Sequence, residues 1–156
     1  MSKRVAFTIT VLFAAFSADS LGSQERGAAV TRQTEADEYT RYELLAPDTA
    51  SFKISYEVSA TAPGAKVFFN AIRKGSLASN EAVYDAMTGE PLPFEVVSGT
   101  EARKDPLMTE ADVSGSFIKI HLARAVPPEG RGRLLIVKTY KDPKSYYREG
   151  DGIVFQ

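Results

Sequence analysis

From Tyr39 onward the chain alternates apolar and polar side chains in short runs broken by Pro, Gly, Asn and Asp, the spacing of strands and turns. Tyr39 to Leu45 is the first such run. The clearest is Phe52 to Ala60, where Phe52, Ile54, Tyr56 and Val58 share one face and Lys53, Ser55, Glu57 and Ser59 the other. Ala62-Pro63-Gly64 turns the chain into a strand over Lys66 to Ile72, and Arg73 to Asn80 reads as a loop. Ala82 to Ala86 and Leu92 to Val97 flank Met87-Thr88-Gly89-Glu90-Pro91 as a hairpin, with Gly89 free to take the left-handed conformation and Pro91 placed where no donor is needed.

Ser98 to Gly115 carries charges and small residues without a period and reads as a long surface loop. In Phe117 to Leu122 the core face is assigned to Ile118, Ile120 and Leu122, and the wet face to Phe117, Lys119 and His121. Gly132 to Tyr140 is the most apolar strand and is expected at the centre of its sheet, while Tyr146-Tyr147 and Ile153-Val154-Phe155 bracket a tight turn at Glu149-Gly150-Asp151-Gly152. These runs predict an all-β chain, a single antiparallel β-sandwich of about seven to eight strands over residues 39–156.

The N-terminus follows a different pattern. Lys3 and Arg4 precede a charge-free run, Val5 to Phe16, which fits the apolar part of a secretory signal peptide. A spanning helix needs about 20 apolar residues, and Ser17, Asp19 and Ser20 interrupt too early, so no membrane span is expected after cleavage. Small residues at Ser20 and Gly22 favour cleavage before Ser23, with cleavage after Ser20 as the alternative. Residues 1–22 are thus read as the signal peptide and 23–38, polar and without period, as a flexible leader. An apolar run at the very end, Ile153 to Phe155, raises the expectation that the chain continues in a longer protein.

Composition sharpens this picture by exclusion. The chain has 156 residues, a formal charge of −1 and no cysteine. Removing residues 1–22 takes away Lys3, Arg4 and Asp19, leaving 17 basic and 19 acidic side chains and a formal charge of −2. Such a surface has no long-range positive field with which to collect nucleic acid. Without cysteine there is no disulfide, no thiolate metal site and no thiol chemistry.

No catalytic pattern replaces them, and neither a cofactor nor a metal is expected. His121 is the sole histidine and sits mid-strand beside Lys119, so an exposed strand residue is the simpler reading than a ligand or general base. The acidic groups at Glu35-Ala36-Asp37-Glu38, Glu110-Ala111-Asp112 and Glu149-Gly150-Asp151-Gly152 do not fit a calcium loop, and the last is explained by a turn. The remaining constellation is KTYKDPKSYYR. There Tyr140, Tyr146 and Tyr147 stand among Lys138, Lys141, Lys144 and Arg148, and Tyr140, Tyr146, Tyr147, Lys138 and Arg148 form a candidate binding patch. Aromatic faces beside cations hold sugars, peptides or single-stranded nucleic acid, although tyrosine is equally a common strand filler and lysine a common edge guard.

The order of these motifs resembles the N-terminal β domain of zinc aminopeptidases of the aminopeptidase N type and their inactive relatives. The resemblance rests on Tyr42-Glu43-Leu44, the Asp-x-x-Thr-Gly-x-Pro-Leu run from Asp85 to Leu92, and the Leu-x-Ile-x-x-x-Tyr run from Leu134 to Tyr140. It covers roughly residues 39 to 150 and implies a scaffold domain whose zinc ligands lie further downstream, so no catalytic residue is carried over. After Tyr140 the chain departs from the family's Gly-aromatic continuation. Three readings follow: an exported non-catalytic accessory or interaction domain with a protein or glycan partner, the scaffold of a larger exported metallopeptidase-like hydrolase, and a carbohydrate-binding or adhesion module. Fold alone does not choose among them.

Overall fold

The computed structural model describes residues 32–156. The expected signal peptide and residues 23–31 of the expected leader lie outside these described residues. Nine strands follow one another: β1 Glu35–Leu44, β2 Ser51–Ala60, β3 Val67–Ile72, β4 Leu77–Asp85, β5 Phe94–Ser98, β6 Ser116–His121, β7 Gly132–Lys141, β8 Tyr146–Glu149 and β9 Gly152–Phe155. They form a four-stranded sheet in the order β1-β2-β7-β4, a three-stranded sheet in the order β3-β6-β5, and the β8-β9 hairpin. Every pairing is antiparallel. The two sheets face each other, so the expected all-β sandwich is the fold.

Period-two burial builds the core. From the larger sheet Val58, Val83, Leu134 and Ile136 point inward, and from the smaller sheet Phe68, Ile118 and Ile120 meet them. β7 lies between β2 and β4, at the centre of its sheet as its apolar run predicts. A second cluster, Phe52, Ile54, Tyr140 and Tyr146, fills one end of the sandwich. Phe155 from β9 folds onto it, with its ring centroid 5.1 Å from Phe52 and 6.1 Å from Tyr146, both edge-on.

Five local features differ from the sequence reading. β1 begins at Glu35, inside the segment read as a leader to residue 38. A bulge between Ala36 and Tyr39, with Asp37 at φ 53°, lets this polar stretch pair with β2. Backbone pairing on an edge strand needs no apolar period, and that is why the pattern missed it. The same stretch overturns the wet position given to Ser59, which is buried beneath β1 with its hydroxyl 3.4 Å from Asp37 Oδ2. β4 begins at Leu77, within the segment read as a loop from Arg73 to Asn80. The true turn is Arg73–Ser76, and a bulge at Asn80 (φ 52°) breaks the alternation that would have marked the strand.

The expected hairpin around Gly89 is only half formed. Gly89 takes φ 77° and donates to the Asp85 carbonyl at 2.7 Å, as the turn requires, and Leu92 donates to Val83. Only a single bridge, Tyr84 to Pro91, joins the two arms, after which Pro93 precedes β5 in the opposite sheet. Pro91 and Pro93 both lack the N–H that a continuing ladder would need, so the chain crosses between layers.

The largest correction concerns residues 98–115, read as a surface loop. They contain a one-turn helix, α1 (Gly99–Ala102), and a 3₁₀ turn at Pro106–Met108. Ala102 and Ala111 close over Phe69 and Phe117 on the outer face of the smaller sheet, so Phe117 is buried and not wet. Ser98 Oγ accepts from the Glu101 amide, Asp105 accepts from the Leu107 amide, and Arg103 Nε donates to the Ala111 carbonyl at 2.5 Å. Charged residues on the wet side hid the apolar spacing of this cap.

Gly99 is where the cap meets the sheet. A Cβ there would overlap the carbonyl oxygen of Asp112 and lie 2.9 Å from Val113 Cα, both backbone atoms that cannot step aside. Gly99→Ala is therefore expected to destabilise the domain by about 2 to 3 kcal/mol, measured as a shift in the urea midpoint. An unchanged midpoint would contradict the described approach of the cap.

Candidate functional site

The candidate patch of Tyr140, Tyr146, Tyr147, Lys138 and Arg148 does not form a surface. On β7 the even positions Leu134, Ile136, Lys138 and Tyr140 all point inward, so Lys138 and Tyr140 are buried between the sheets. Tyr146 is buried too, and its hydroxyl donates to the Leu45 carbonyl at 2.6 Å. Tyr147 is half-buried, and Arg148 is exposed and paired with Asp48 at 3.0 Å. The parity of the strand decides this: Lys138 and Tyr140 share the inward face of β7 while Lys141 is exposed, and no aromatic platform for a sugar remains at Tyr140 or Tyr146.

What the structure assembles instead lies along one long side of the sandwich. The larger sheet has four strands and the smaller three, and β1 is an edge strand of the larger one. Its inward side chains Thr40, Tyr42 and Leu44 lie in the rows of Tyr56, Ile54 and Phe52. Tyr42 is nonetheless 52% exposed and Leu44 45% exposed. Beside them a recess of about 160 Å³ is lined by Thr40, Tyr42, Ile54, Tyr56, Lys138 and Tyr140, with Asn70 of β3 across the gap.

Lys138 is the chemically distinctive member. Its residue is 5% exposed, and Nζ donates to Asn70 Oδ1 at 2.5 Å and lies 3.5 Å from the Ala71 carbonyl. The Tyr140 ring centroid is 5.2 Å from Nζ. None of the ion pairs formed among the described residues includes Lys138. Burial pushes its pKa down to about 8, with Glu81 opposing the shift. Burial also pushes the Tyr56 phenol up, helped by Glu35 and Glu38, and raises that of Tyr140, whose hydroxyl accepts from the Arg73 amide at 2.9 Å.

Three other depressions are larger, the smallest of them, of about 190 Å³, lying between the cap and Lys119. One of about 410 Å³ lies between Arg32, Gln33 and residues 107–111, and one of about 360 Å³ on the outer face of the larger sheet is lined by Glu57, Tyr84 and Arg133. The latter also has buried Asp85 in its lining, where Oδ1 accepts from the Met87 amide at 2.8 Å within the turn. His121 is exposed, 3.6 Å from Glu95, which also pairs with Lys119 at 3.0 Å. The hydrogen bond and charge of Lys119 hold the Glu95 carboxyl below its usual range. This is a cross-strand surface ladder of the kind that edge strands carry. The acidic groups fall in β1, in the cap and in the β8-β9 turn, and among the described residues no three His, Cys, Asp or Glu converge to hold a metal ion.

Sequence reasoning missed the recess, since Thr40, Tyr42, Ile54, Tyr56 and Asn70 were only strand positions. One signal was present: Lys138 interrupts the apolar parity of the strand expected to be central. In sequence comparisons the chain matches no family model and no curated protein.

Because the folded pKa of Lys138 lies below its unfolded value, the folded state holds fewer protons between the two, and its stability rises as pH climbs from about 8 towards the usual lysine value. Below about pH 8 the buried charge costs stability. Lys138→Met keeps the volume and removes the charge, so it is expected to raise stability near neutrality by about 1 to 3 kcal/mol, an advantage that shrinks on going to alkaline pH. Urea titrations of both proteins across that range check this, and a pH-independent difference would contradict the placement of the amine.

Proposed function

We propose that this chain is an exported, non-catalytic interaction domain that meets its partner through the open side of the sandwich at β1. The observation that carries the reading is the exposure of inward-facing side chains: Tyr42 and Leu44 belong to the core rows of the larger sheet, yet the described residues leave them 52% and 45% exposed. Phe155 continues the same strip, its ring centroid 5.5 Å from Tyr42 and its side chain 40% exposed. Contiguous apolar surface of this kind marks places where a second molecule completes the burial. Among the described residues β1 is also an edge strand, and its outer backbone groups suit pairing with a partner strand.

Export rests on the basic start, the apolar Val5 to Phe16 run and the small residues at Ser20 and Gly22. A formal charge of −2 after cleavage favours a protein or glycan partner over nucleic acid. A non-catalytic role is the reading we give to the acidic groups, which among the described residues lie apart in β1, the cap and the β8-β9 turn.

Two experiments test this. N-terminal sequencing of the protein recovered from outside the cytoplasm is expected to begin near Ser23, whereas an intact Met1 would overturn export. A photo-crosslinking amino acid at Tyr42 is expected to give a discrete adduct in exporting cells, lost when Leu44→Glu is added. The same probe at Val113, equally exposed in the cap, is expected to give none. Equal labelling at both positions, or none at Tyr42, would remove β1 as the contact surface.

A further inference from the structure

The recess beneath Tyr42 holds a charge that no ion pair among the described residues neutralises. Lys138 Nζ is fixed from the β3 side by Asn70 Oδ1 and, more weakly, by the Ala71 carbonyl. An ammonium carries three donors, so one N–H remains after these two contacts. Both acceptors are neutral, and no described carboxylate comes within ion-pair distance. A buried ammonium ordinarily costs several kcal/mol unless an anion joins it. The space beside it, about 160 Å³, is walled by Ile54 and the rings of Tyr42, Tyr56 and Tyr140 and opens to solvent past Thr40 and Tyr42. A cation on the floor, apolar and aromatic walls and a mouth at the surface are the three parts of a small-ligand site.

We propose that this recess is a binding site for an organic carboxylate, with the carboxylate paired to Lys138 Nζ and its carbon skeleton lying against Ile54, Tyr42 and Tyr56. The site stands on Lys138 and not on the partner-binding surface proposed above, so it survives if β1 contacts no partner. The charged and titratable groups that face the amine are Glu81 from β4, Tyr140 from β7, Tyr56 from β2, and Tyr42 from β1, where Glu35 and Glu38 stand beside Tyr56. β3 presents only neutral Asn70 and the Ala71 carbonyl. The acidic pair beside Tyr56 repels a second negative charge at that end, which selects a monocarboxylate oriented with its charge on Lys138.

Benzoate is the probe. Titrated into the isotope-labelled mature chain, it is expected to give saturable NMR shifts confined to Ile54, Asn70, Lys138, Tyr140 and their neighbours. Benzyl alcohol, which keeps the ring and lacks the charge, is expected to bind about tenfold more weakly. Lys138→Met is expected to abolish the preference for benzoate while retaining the dispersed spectrum of the fold. Should that variant fail to fold, the wild-type protein supplies the same test. Benzoate affinity is expected to fall as pH rises through about 8 and the amine loses its proton, because the ligand pairs with the charged form.

A capped tripeptide bearing a single Glu distinguishes a carboxylate delivered on a polypeptide from a free one. Binding at the same residues tighter than benzoate assigns the natural carboxylate to a protein side chain, and weaker binding assigns it to a small molecule. Equal affinity for benzoate and benzyl alcohol, benzoate shifts that persist in Lys138→Met, or the absence of any saturable shift would overturn the proposal.

Discussion

Burial of the inward row of β7 against the smaller sheet is the interaction on which the rest of this domain depends. Leu134 and Ile136 lie between Val58 of β2 and Val83 of β4, and meet Phe68, Ile118 and Ile120 from the opposing layer. Because β7 is paired on both sides, its backbone is fully committed and its register fixes that of both neighbours. A slip by one residue would send Leu134 and Ile136 outward and bring Leu135 and Val137 in, breaking the match with β6. At the same time this constraint carries Lys138 and Tyr140 into the interior, since they share the parity of the apolar residues before them.

The edge position of β1 gives the second consequence. The larger sheet has four strands and the smaller three, and β1 stands at one edge of the larger. There the inward rows change character from burial at Ile54 and Phe52 on β2 to half exposure at Tyr42 and Leu44 on β1. Asn70 on β3 reaches across the gap to Lys138, and the recess lies where the two sheets part. A polar pair at that depth is tolerated because each group satisfies the other, although no ion pair among the described residues neutralises the charge itself.

Side chains stitch together what the ladders leave open. Gln33 accepts from the Phe69 amide at 2.7 Å and donates to the Phe69 carbonyl at 2.9 Å, replacing one bridge of the strand that β3 lacks on that side. At the other end Asp142 accepts from Ser76 Oγ and from the amides of Lys144 and Ser145, holding the turn between β7 and β8. Burial works to raise its carboxyl, but these hydrogen bonds outweigh it and hold the group below its usual range. With Tyr146 bonded to the Leu45 carbonyl, they keep the β8-β9 hairpin closed over Phe52.

The sequence by itself determined the class of fold, because period-two burial is a local property: Phe52, Ile54 and Val58 on β2, Ile118 and Ile120 on β6, and Leu134 and Ile136 on β7 declare their inner faces without reference to any partner. It also placed β7 at a sheet centre and the tight turn before β9. The tertiary structure alone decided three things. Polar β1 residues from Glu35 and the charged cap over Phe117 were illegible, since backbone pairing and the covering of a second face leave no period in the covering segment. The crossing after Pro91 depended on which sheet offered a free edge. The candidate site was illegible for the same reason, because Tyr42, Asn70 and Lys138 are separated along the chain and meet only once β1, β3 and β7 are brought together.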